Sequence, residues 1–290
     1  MSLTPASTPC PAPTAPANVL SIAGTDPTGG AGIQADLKTF GALGAYGMAV
    51  VTAVVAQNTQ AVRVVSPLAP ELVQAQLEAV FEDVAVAAVK IGMVANAGIA
   101  EAIAEVLARH RPPFVVFDPV MAASTHKRLM NESDLERIRT ALLPQVSLLT
   151  PNLKEAARLL GIAQPVDEAG MRACLPALQA LGVPNVLLKG GHLADDTPDA
   201  PESTDLLATP EGVIRLSAPR IATRHGHGTG CTLSSAIAAL WPRHGLEKAT
   251  RMAKDYVHGA LLHADALRVG HGRGPLHHFW QAVHLPGQLA

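Results

Sequence analysis

The sequence predicts an α/β fold in which a mostly parallel central sheet lies between two layers of helices. Short apolar runs alternate with longer segments whose apolar residues are spaced three and four apart, which is typical of strands buried on both faces and covered by helices. Prolines stand at several junctions between these segments. The chain has 290 residues and is 48% hydrophobic, enough to fill the core of one sizeable α/β domain.

The elements follow from these patterns in chain order. Apolar, largely β-branched runs predict strands at residues 19–23, 49–56, 87–91, 114–117, 147–150 and 185–189. Helical spacing predicts helices at residues 33–43, 71–81, 98–110, 132–143, 154–160, 232–241 and 246–264. Two short strand-like pieces, 205–209 and 213–218, flank the turn Glu211-Gly212 and predict a β-hairpin beside the sheet. The polar, acidic and proline-containing segment 194–204 predicts a mobile surface loop.

The first 17 residues differ in composition from the rest of the chain. They hold five prolines and no charged side chain, so we expect a disordered tail that precedes one domain at residues 18–284. This tail has neither the basic start nor the apolar run of a secretory signal. No stretch reaches the roughly 18 apolar residues of a transmembrane helix. We therefore expect a cytoplasmic protein without a membrane partner.

Charge and cysteine content narrow the class of protein further. Lys and Arg number 22 against 24 Asp and Glu, and no basic patch predicts a nucleic-acid partner. Only Cys10, Cys174 and Cys231 occur, an odd and widely spaced set that argues against a disulfide framework and for a reducing compartment.

Ligands of open parallel sheets bind beyond the carboxyl ends of the strands. Polar or glycine residues follow every predicted strand: Gly24-Thr25-Asp26, Gln57-Asn58, Gly92-Met93, Asp118-Pro119, Pro151-Asn152 and Gly190-Gly191. Such residues also serve as ordinary turn residues, but their recurrence at every end favours a single binding crevice.

A glycine-rich segment precedes the predicted helix at 232–241. Residues 225–232 (HGHGTGCT) carry glycines at alternate positions, so successive N–H groups can face one ligand in front of a helix dipole. This arrangement suits a phosphoryl group. A glycine-rich turn that merely caps a helix is the alternative interpretation of these eight residues.

A second glycine-rich loop follows the first strand. Residues 24–32 (GTDPTGGAG) have neither the dinucleotide G-x-G-x-x-G spacing nor the Gly-Lys-Ser/Thr ending of a P-loop. Their glycines would let backbone approach a small ligand. Asp36, one turn into the next helix, could direct a carboxylate at that ligand or could be a solvated helix residue.

Residues 22–40 (IAGTDPTGGAGIQADLKTF) resemble the opening signature of bacterial hydroxymethylpyrimidine/phosphomethylpyrimidine kinases, members of the ribokinase superfamily that act in thiamin biosynthesis. The similarity continues in order through 52–59 (TAVVAQNT), 90–94 (KIGMV), 118–121 (DPVM), 150–155 (TPNLKE), 188–193 (LKGGHL), 227–233 (HGTGCTL) and 269–278 (VGHGRGPLHH). It implies a single ribokinase-like three-layer α/β/α domain and a homodimer. It also implies two successive ATP-dependent phosphorylations, of 4-amino-5-hydroxymethyl-2-methylpyrimidine and then of its monophosphate.

The resemblance assigns substrate residues. Gln57 matches the glutamine that reads the pyrimidine, and a carboxamide offers an acceptor and a donor that match an exocyclic amine beside a ring nitrogen. A glutamine that satisfies backbone groups at a strand end is the alternative. Gly24 and Asp36 match other substrate contacts, and Val55, Met93 and Val120 would form apolar walls around the ring.

The resemblance also implies the catalytic groups. Cys231 stands where many ribokinase-like sugar kinases carry an aspartate as general base. A helix N-terminus should lower the pKa of this thiol, so a base role is possible near neutral pH. The backbone N–H groups of Gly228, Thr229, Gly230 and Cys231 would form the anion hole. Phosphoryl transfer demands little of a base, so positioning and charge stabilisation by these amides could suffice instead. A small core-filling cysteine is the remaining alternative.

Nucleotide and metal contacts follow from the same similarity. Asp118 and Glu155 are the predicted ligands of Mg²⁺, through water, because magnesium keeps much of its hydration and takes one or two carboxylates plus phosphate oxygens. Asn152, Lys189, Gly191 and Gly228 are predicted to contact ATP. Asn152 and Glu155 also form a good helix N-cap pattern, and both roles can coexist.

Three alternatives stay open at this stage. A pyridoxal or pyridoxine kinase shares the fold and the chemistry, although pyridoxal has no amine beside its ring nitrogen for Gln57 to read. A non-catalytic pyrimidine-binding protein is a weaker candidate, since the residues for phosphoryl transfer are present. His271, His277 and His278 could suggest a metal site, but their spacing fits no standard zinc pattern.

Overall fold

The structure is a computed structural model that describes residues 15–121, 132–191, 193 and 202–282. Its strands are β1 (Asn18–Ala23), β2 (Tyr46–Val51), β3 (Ala53–Gln57), β4 (Val62–Pro67), β5 (Ala88–Ile91), β6 (Val115–Phe117), β7 (Leu148–Leu149), β8 (Asn185–Lys189), β9 (Glu202–Thr209) and β10 (Gly212–Pro219). Its α-helices are α1 (Gly32–Ala42), α2 (Pro70–Phe81), α3 (Ala97–His110), α4 (Glu132–Leu142), α5 (Leu153–Leu160), α6 (Glu168–Gln179), α7 (Thr229–His244) and α8 (Leu246–Leu262).

Eight of the strands form one sheet in the order β10-β9-β8-β7-β6-β5-β1-β2. The six strands from β2 to β8 in this order are parallel. Strands β9 and β10 form an antiparallel hairpin that joins the sheet through β8. The predicted mostly parallel sheet and the predicted hairpin are both confirmed, and each hairpin strand is longer than the sequence pattern indicated.

Two apolar clusters cover the two faces of this sheet. Successive residues of a strand point to opposite faces, and Val19 packs in one cluster while Leu20 packs in the other. Helices α2 to α6 contribute to the cluster that holds Leu20. Helices α1, α7 and α8 contribute to the cluster that holds Val19. The chain therefore folds into three layers, as expected.

The strand predicted at residues 49–56 is wrong in one respect, because the segment belongs to two different sheets. Strand β2 ends at Val51, and β3 begins at Ala53 and pairs with the unpredicted strand β4 in a separate antiparallel sheet. Thr52 forms the junction: its N–H donates to the Ala23 carbonyl, and its hydroxyl donates to the Met93 carbonyl at 2.6 Å. An unbroken apolar run does not reveal where one strand leaves a sheet for another.

Helix α6 was not predicted, because Gly170 and Pro176 interrupt its helical pattern. Asp167 starts this helix by accepting a hydrogen bond from Gly170 N at 2.7 Å. Residues 202–204 of the predicted mobile loop are the start of β9, and residues 194–201 of that loop lie outside the described residues.

The predicted disordered tail also lies largely beyond the described part of the chain, which begins at residue 15. Its last residue, Ala17, accepts a hydrogen bond from Tyr46 N at 2.9 Å, so this residue is held against the start of β2. Across the described segments, none of the helices has the length and apolar character needed to cross a bilayer.

Candidate active site

A cavity of about 80 Å³ lies at the carboxyl ends of β1 and β5, beside the N-terminus of α7. Six of the predicted site residues line it: Gly24, Val55, Gln57, Met93, Val120 and Cys231. Val62 and Val65 add to its apolar wall. Sequence reasoning missed these two valines, because it did not predict β4. The cavity thus unites a carboxamide, an apolar wall and a helix N-terminus.

Asp26 joins the two glycine-rich loops at this cavity. Its buried carboxylate accepts hydrogen bonds from Thr28 N at 2.9 Å, Ala31 N at 2.8 Å and His227 Nε2 at 2.8 Å. Burial alone would raise the pKa of Asp26, but the hydrogen bonds from His227, Gln57 and Thr28 outweigh it and hold the pKa far below its usual range. Sequence analysis gave Asp26 and His227 no role. The two residues are 201 positions apart in the sequence, so only the folded chain shows that they pair.

Helix α7 begins at the glycine-rich segment 225–232. Gly228 has a positive φ of 87°, and a Cβ there would overlap the carbonyl oxygen of Gly30. Among the described residues, no side chain caps this N-terminus and no acidic residue lies in its first turn. The amides of Gly228, Thr229, Gly230 and Cys231 therefore start a helix whose positive dipole end faces the site.

Asp118 and Lys189 form an ion pair next to this helix start. Lys189 Nζ lies 2.6 Å from Asp118 Oδ1, and both side chains are largely buried. A Cβ added to Gly230 would lie 3.2 Å from both Lys189 Nζ and Asp118 Oδ2. Glycine at position 230 thus leaves open the space between the helix N-terminus and the pair. Burial lowers the pKa of Lys189, but Asp118 and Glu155 reverse this effect and raise it.

Asn152 and Glu155 start α5 with a capping box, as their sequence pattern allows. Asn152 Oδ1 accepts from Glu155 N at 2.9 Å, and Glu155 Oε2 accepts from Asn152 N at 2.8 Å. Burial raises the pKa of Glu155, and the neighbouring Asp118 carboxylate adds to this while Lys189 opposes it. Gly191, the other predicted nucleotide contact, lies two residues after β8, and its carbonyl accepts from Arg220 at 2.7 Å.

The described residues contain no cluster of three or more His, Cys, Asp or Glu side chains that could hold a metal ion. The terminal histidines therefore build no such site, and His278 is instead buried against the Thr232 hydroxyl at 3.1 Å. Burial lowers the pKa of His278 to about 4. Asp118 and Glu155 together offer two carboxylates near one point, a donor set that suits Mg²⁺ only if phosphate oxygens and water complete it.

The expected thiolate at Cys231 is wrong for the protein without ligand. Burial raises the pKa of Cys231 to about 11, and the favourable charge of Lys90 does not compensate for it. Asp36 and Asp118 raise the pKa further. Burial thus outweighs the helix dipole on which the sequence argument relied, and the thiol stays protonated near neutral pH.

The predicted ligand contact of Asp36 stays a prediction, and in this structure its side chain is not among the residues that line the cavity. It is fully buried, so the alternative of a solvated helix residue is wrong. Its carboxylate accepts from Ser21 Oγ at 2.6 Å, Ser235 Oγ at 2.7 Å and Lys90 Nζ at 2.8 Å. Asp36 therefore lies beneath the cavity, and Lys90 stands between it and the cavity.

Comparison with known proteins agrees with this geometry. The model of the phosphomethylpyrimidine kinase family matches residues 26–277. The hydroxymethylpyrimidine/phosphomethylpyrimidine kinase of Salmonella typhimurium is 54% identical over 90% of this chain and 97% of its own. Among solved structures, the Staphylococcus aureus pyridoxal kinase in complex with ADP superposes with a TM-score of 0.83 at 30% identity, covering 92% of this chain and 95% of its own.

A second solved structure carries the name of the matching family. The phosphomethylpyrimidine kinase of Clostridium difficile 630 superposes with a TM-score of 0.73 at 38% identity, covering 84% of this chain and 99% of its own. The family match spans most of the chain, and the relatives are matched over nearly their whole length. The chain belongs to the phosphomethylpyrimidine kinase family.

Proposed function

We propose that this protein transfers phosphoryl groups from ATP to 4-amino-5-hydroxymethyl-2-methylpyrimidine and then to its monophosphate, in thiamin biosynthesis. The observation that carries the proposal is the single cavity that holds Gln57 and the N-terminus of α7 together. The Gln57 carboxamide selects the ring, and the N-terminus of α7 binds the negatively charged phosphoryl group beside that ring. Incubation with ATP, Mg²⁺ and the aminopyrimidine alcohol, followed by separation of the mono- and diphosphate, tests it directly. Absence of both products would refute it.

In this proposal the cavity binds the pyrimidine ring. The Gln57 carboxamide pairs with the exocyclic amine and the adjacent ring nitrogen, since it carries a donor and an acceptor side by side. Val55, Met93 and Val120 hold the ring faces. A Cβ at position 24 would overlap the end of the Met93 side chain. Glycine at this position therefore lets Met93 come close and narrow the cavity from that side.

The triphosphate would extend from the anion hole at Gly228 to Cys231 toward the Asp118–Lys189 pair. Asn152, Lys189 and Gly191 are the proposed nucleotide contacts. Asp118 and Glu155 would hold Mg²⁺ through water, and the ion would neutralise phosphate oxygens when bound. We also propose that the protein is a cytoplasmic homodimer, because the family resemblance implies one.

Pyridoxal is the second candidate substrate, because pyridoxal kinases are among the structures that superpose well. Gln57 distinguishes the two candidates, since pyridoxal offers no amine beside its ring nitrogen. A higher kcat/KM for pyridoxal than for the aminopyrimidine would reverse the assignment.

Replacing Gln57 by Leu should lower kcat/KM for the aminopyrimidine by about tenfold or more, because a buried amine would lose its partner. The same change at the exposed Gln60, three residues further along, is the matched control and should leave kcat/KM unchanged. If Gln57→Leu keeps the wild-type preference for the aminopyrimidine over pyridoxal, another residue reads the ring.

Replacing Cys231 by Ala should lower kcat by less than about tenfold, because a thiol with a raised pKa is a poor base and the backbone amides remain. The control is Cys174→Ala, which removes a buried thiol outside the cavity. Measuring kcat between pH 7 and 9 sharpens the test. A wild-type kcat that rises about tenfold per pH unit, with a slope lost in Cys231→Ala, would restore the thiolate mechanism.

A further inference from the structure

Lys90 and Asp36 form an ion pair that is fully buried beneath the cavity. Lys90 Nζ lies 2.9 Å from Asp36 Oδ1 and 2.8 Å from Oδ2, and neither side chain has any solvent exposure. The hydroxyls of Ser21 and Ser235 donate to the same carboxylate. Strand β5, helix α1, strand β1 and helix α7 thus each supply one member of the cluster.

The ammonium of Lys90 faces the cavity that Asp36 does not reach. Lys90 lines the cavity together with Cys231, whereas Asp36 lies behind it. The ammonium has three N–H groups, and the contact with Asp36 engages two of them. Gly92 accommodates the ammonium closely, since a Cβ there would lie 2.7 Å from Nζ. Lys90 therefore presents positive charge to the corner of the cavity where Cys231 lies.

A buried ion pair of this kind needs a reason other than stability. Removing two charges from water costs about as much as their attraction returns, so apolar residues of similar size often serve a core as well or better. Instead, the charges of Lys90 and Asp36 contribute to the electrostatic potential at the Cys231 thiol. The charged side chains that act on this thiol include Lys90 from β5, Asp36 from α1, Asp118 after β6 and Lys189 at the end of β8. Of the two lysines, Lys90 is the one that lines the cavity together with Cys231.

We propose that Lys90 is a further catalytic residue, whose ammonium stabilises the negative charge that develops on the substrate's hydroxyl oxygen, and that Asp36 with its two serines positions it. This inference rests on the proposed function. In the transfer, the oxygen of the alcohol bonds to the γ-phosphorus while the bond from phosphorus to ADP breaks. The hydroxyl proton leaves on an oxygen of the transferred phosphoryl group, so the step needs no thiolate.

The first test is Lys90→Met, which keeps an unbranched side chain, one atom shorter, and removes its charge. With ATP and the aminopyrimidine alcohol, kcat should fall about 100-fold or more while KM changes less than about threefold. Alkylation of Cys231 by iodoacetamide at pH 8 should slow about tenfold, because the thiolate loses its neighbouring cation. Peptide mass spectrometry separates Cys231 from Cys10 and Cys174.

A second variant separates charge from folding, since Lys90→Met leaves Asp36 buried and unpaired. Lys90→Met/Asp36→Asn removes both charges, and its thermal unfolding should return toward that of the wild type while kcat stays low. Lys254→Met is the matched control for alkylation. This substitution breaks another ion pair, in which Lys254 Nζ lies 2.6 Å from Asp205 Oδ2, outside the cavity lining. It should leave the alkylation rate of Cys231 unchanged.

Recovery of kcat in the folded double variant would overturn the proposal, and so would an unchanged alkylation rate of Cys231 in Lys90→Met. If the wild-type protein gives no turnover with the aminopyrimidine, the proposed function fails. The alkylation comparison then still supports or overturns the placement of the Lys90 charge at the cavity.

Discussion

Replacing Gly228 by Ala should reduce phosphoryl transfer by about 1000-fold or more. The added methyl group would overlap the Gly30 carbonyl and force apart the two glycine-rich loops that Asp26 and His227 hold together. It would also strain a backbone with φ of 87°. The anion hole would then open, and its amides would no longer converge on one phosphate. This convergence is the largest electrostatic contribution that we assign to the site. Steady-state kinetics with ATP and the aminopyrimidine alcohol measure the loss.

Gly161→Ala is the matched control for this change. Gly161 also has a positive φ, of 66°, but a Cβ there would meet no atom within 4 Å. It therefore carries the backbone strain, on the order of 1 kcal/mol of unfolding free energy, without the collision. We expect Gly161→Ala to keep kcat within about twofold. Equal losses in the two variants would show that strain, and not the closed loops, controls the activity.

Asp118→Asn should lower kcat by about 100- to 1000-fold. The substitution keeps the shape of the side chain but removes the negative charge that pairs with Lys189 and that we propose for Mg²⁺. A rise in the Mg²⁺ concentration needed for half-maximal activity should accompany the loss. Initial rates over a range of Mg²⁺ concentrations at saturating ATP measure both effects.

The chain offers a close control for Asp118→Asn. Asp205 and Lys254 form a second buried pair at 2.6 Å, with nearly the same low exposure of the two side chains. Asp205→Asn should destabilise the fold by a similar amount yet reduce kcat only a few-fold. If the two variants lose activity in parallel with their melting temperatures, Asp118 has a structural role and the proposed metal contact is wrong.

Local patterns predict those parts of the fold that depend on local physics. Apolar runs and helical spacing locate the parallel strands and most of the helices, and the turn at Glu211-Gly212 locates the hairpin. The division at Thr52 escaped prediction, because it depends on hydrogen bonds from Thr52 to Ala23 and Met93, distant in sequence. Helix α6 escaped it because a glycine and a proline hide its periodicity.

The candidate site likewise has parts that the sequence predicts and parts that only the folded structure reveals. Residue types at strand ends, together with the family resemblance, indicated the cavity lining, because polar and glycine residues there are visible in the sequence. The state of Cys231 was not predictable, since its pKa depends on how deeply the folded chain surrounds the thiol. The partners of Asp36 were not predictable for a related reason: spacing puts this residue on a helix face but does not reveal that Lys90 and Ser235 contact it there.

Residues 272–274 contact two distant segments that border the cavity. His227 N donates to the Gly274 carbonyl at 3.1 Å, and Gly272 N donates to the Thr59 hydroxyl at 3.1 Å. Residues 272–274 thus hold the segment before α7 and the turn that follows β3, the strand that bears Gln57. Synthesis of the chain must therefore reach residue 274 before these contacts can form. We therefore expect a bound ligand to stabilise a chain that contains residues 272–274 and not a fragment that ends before them.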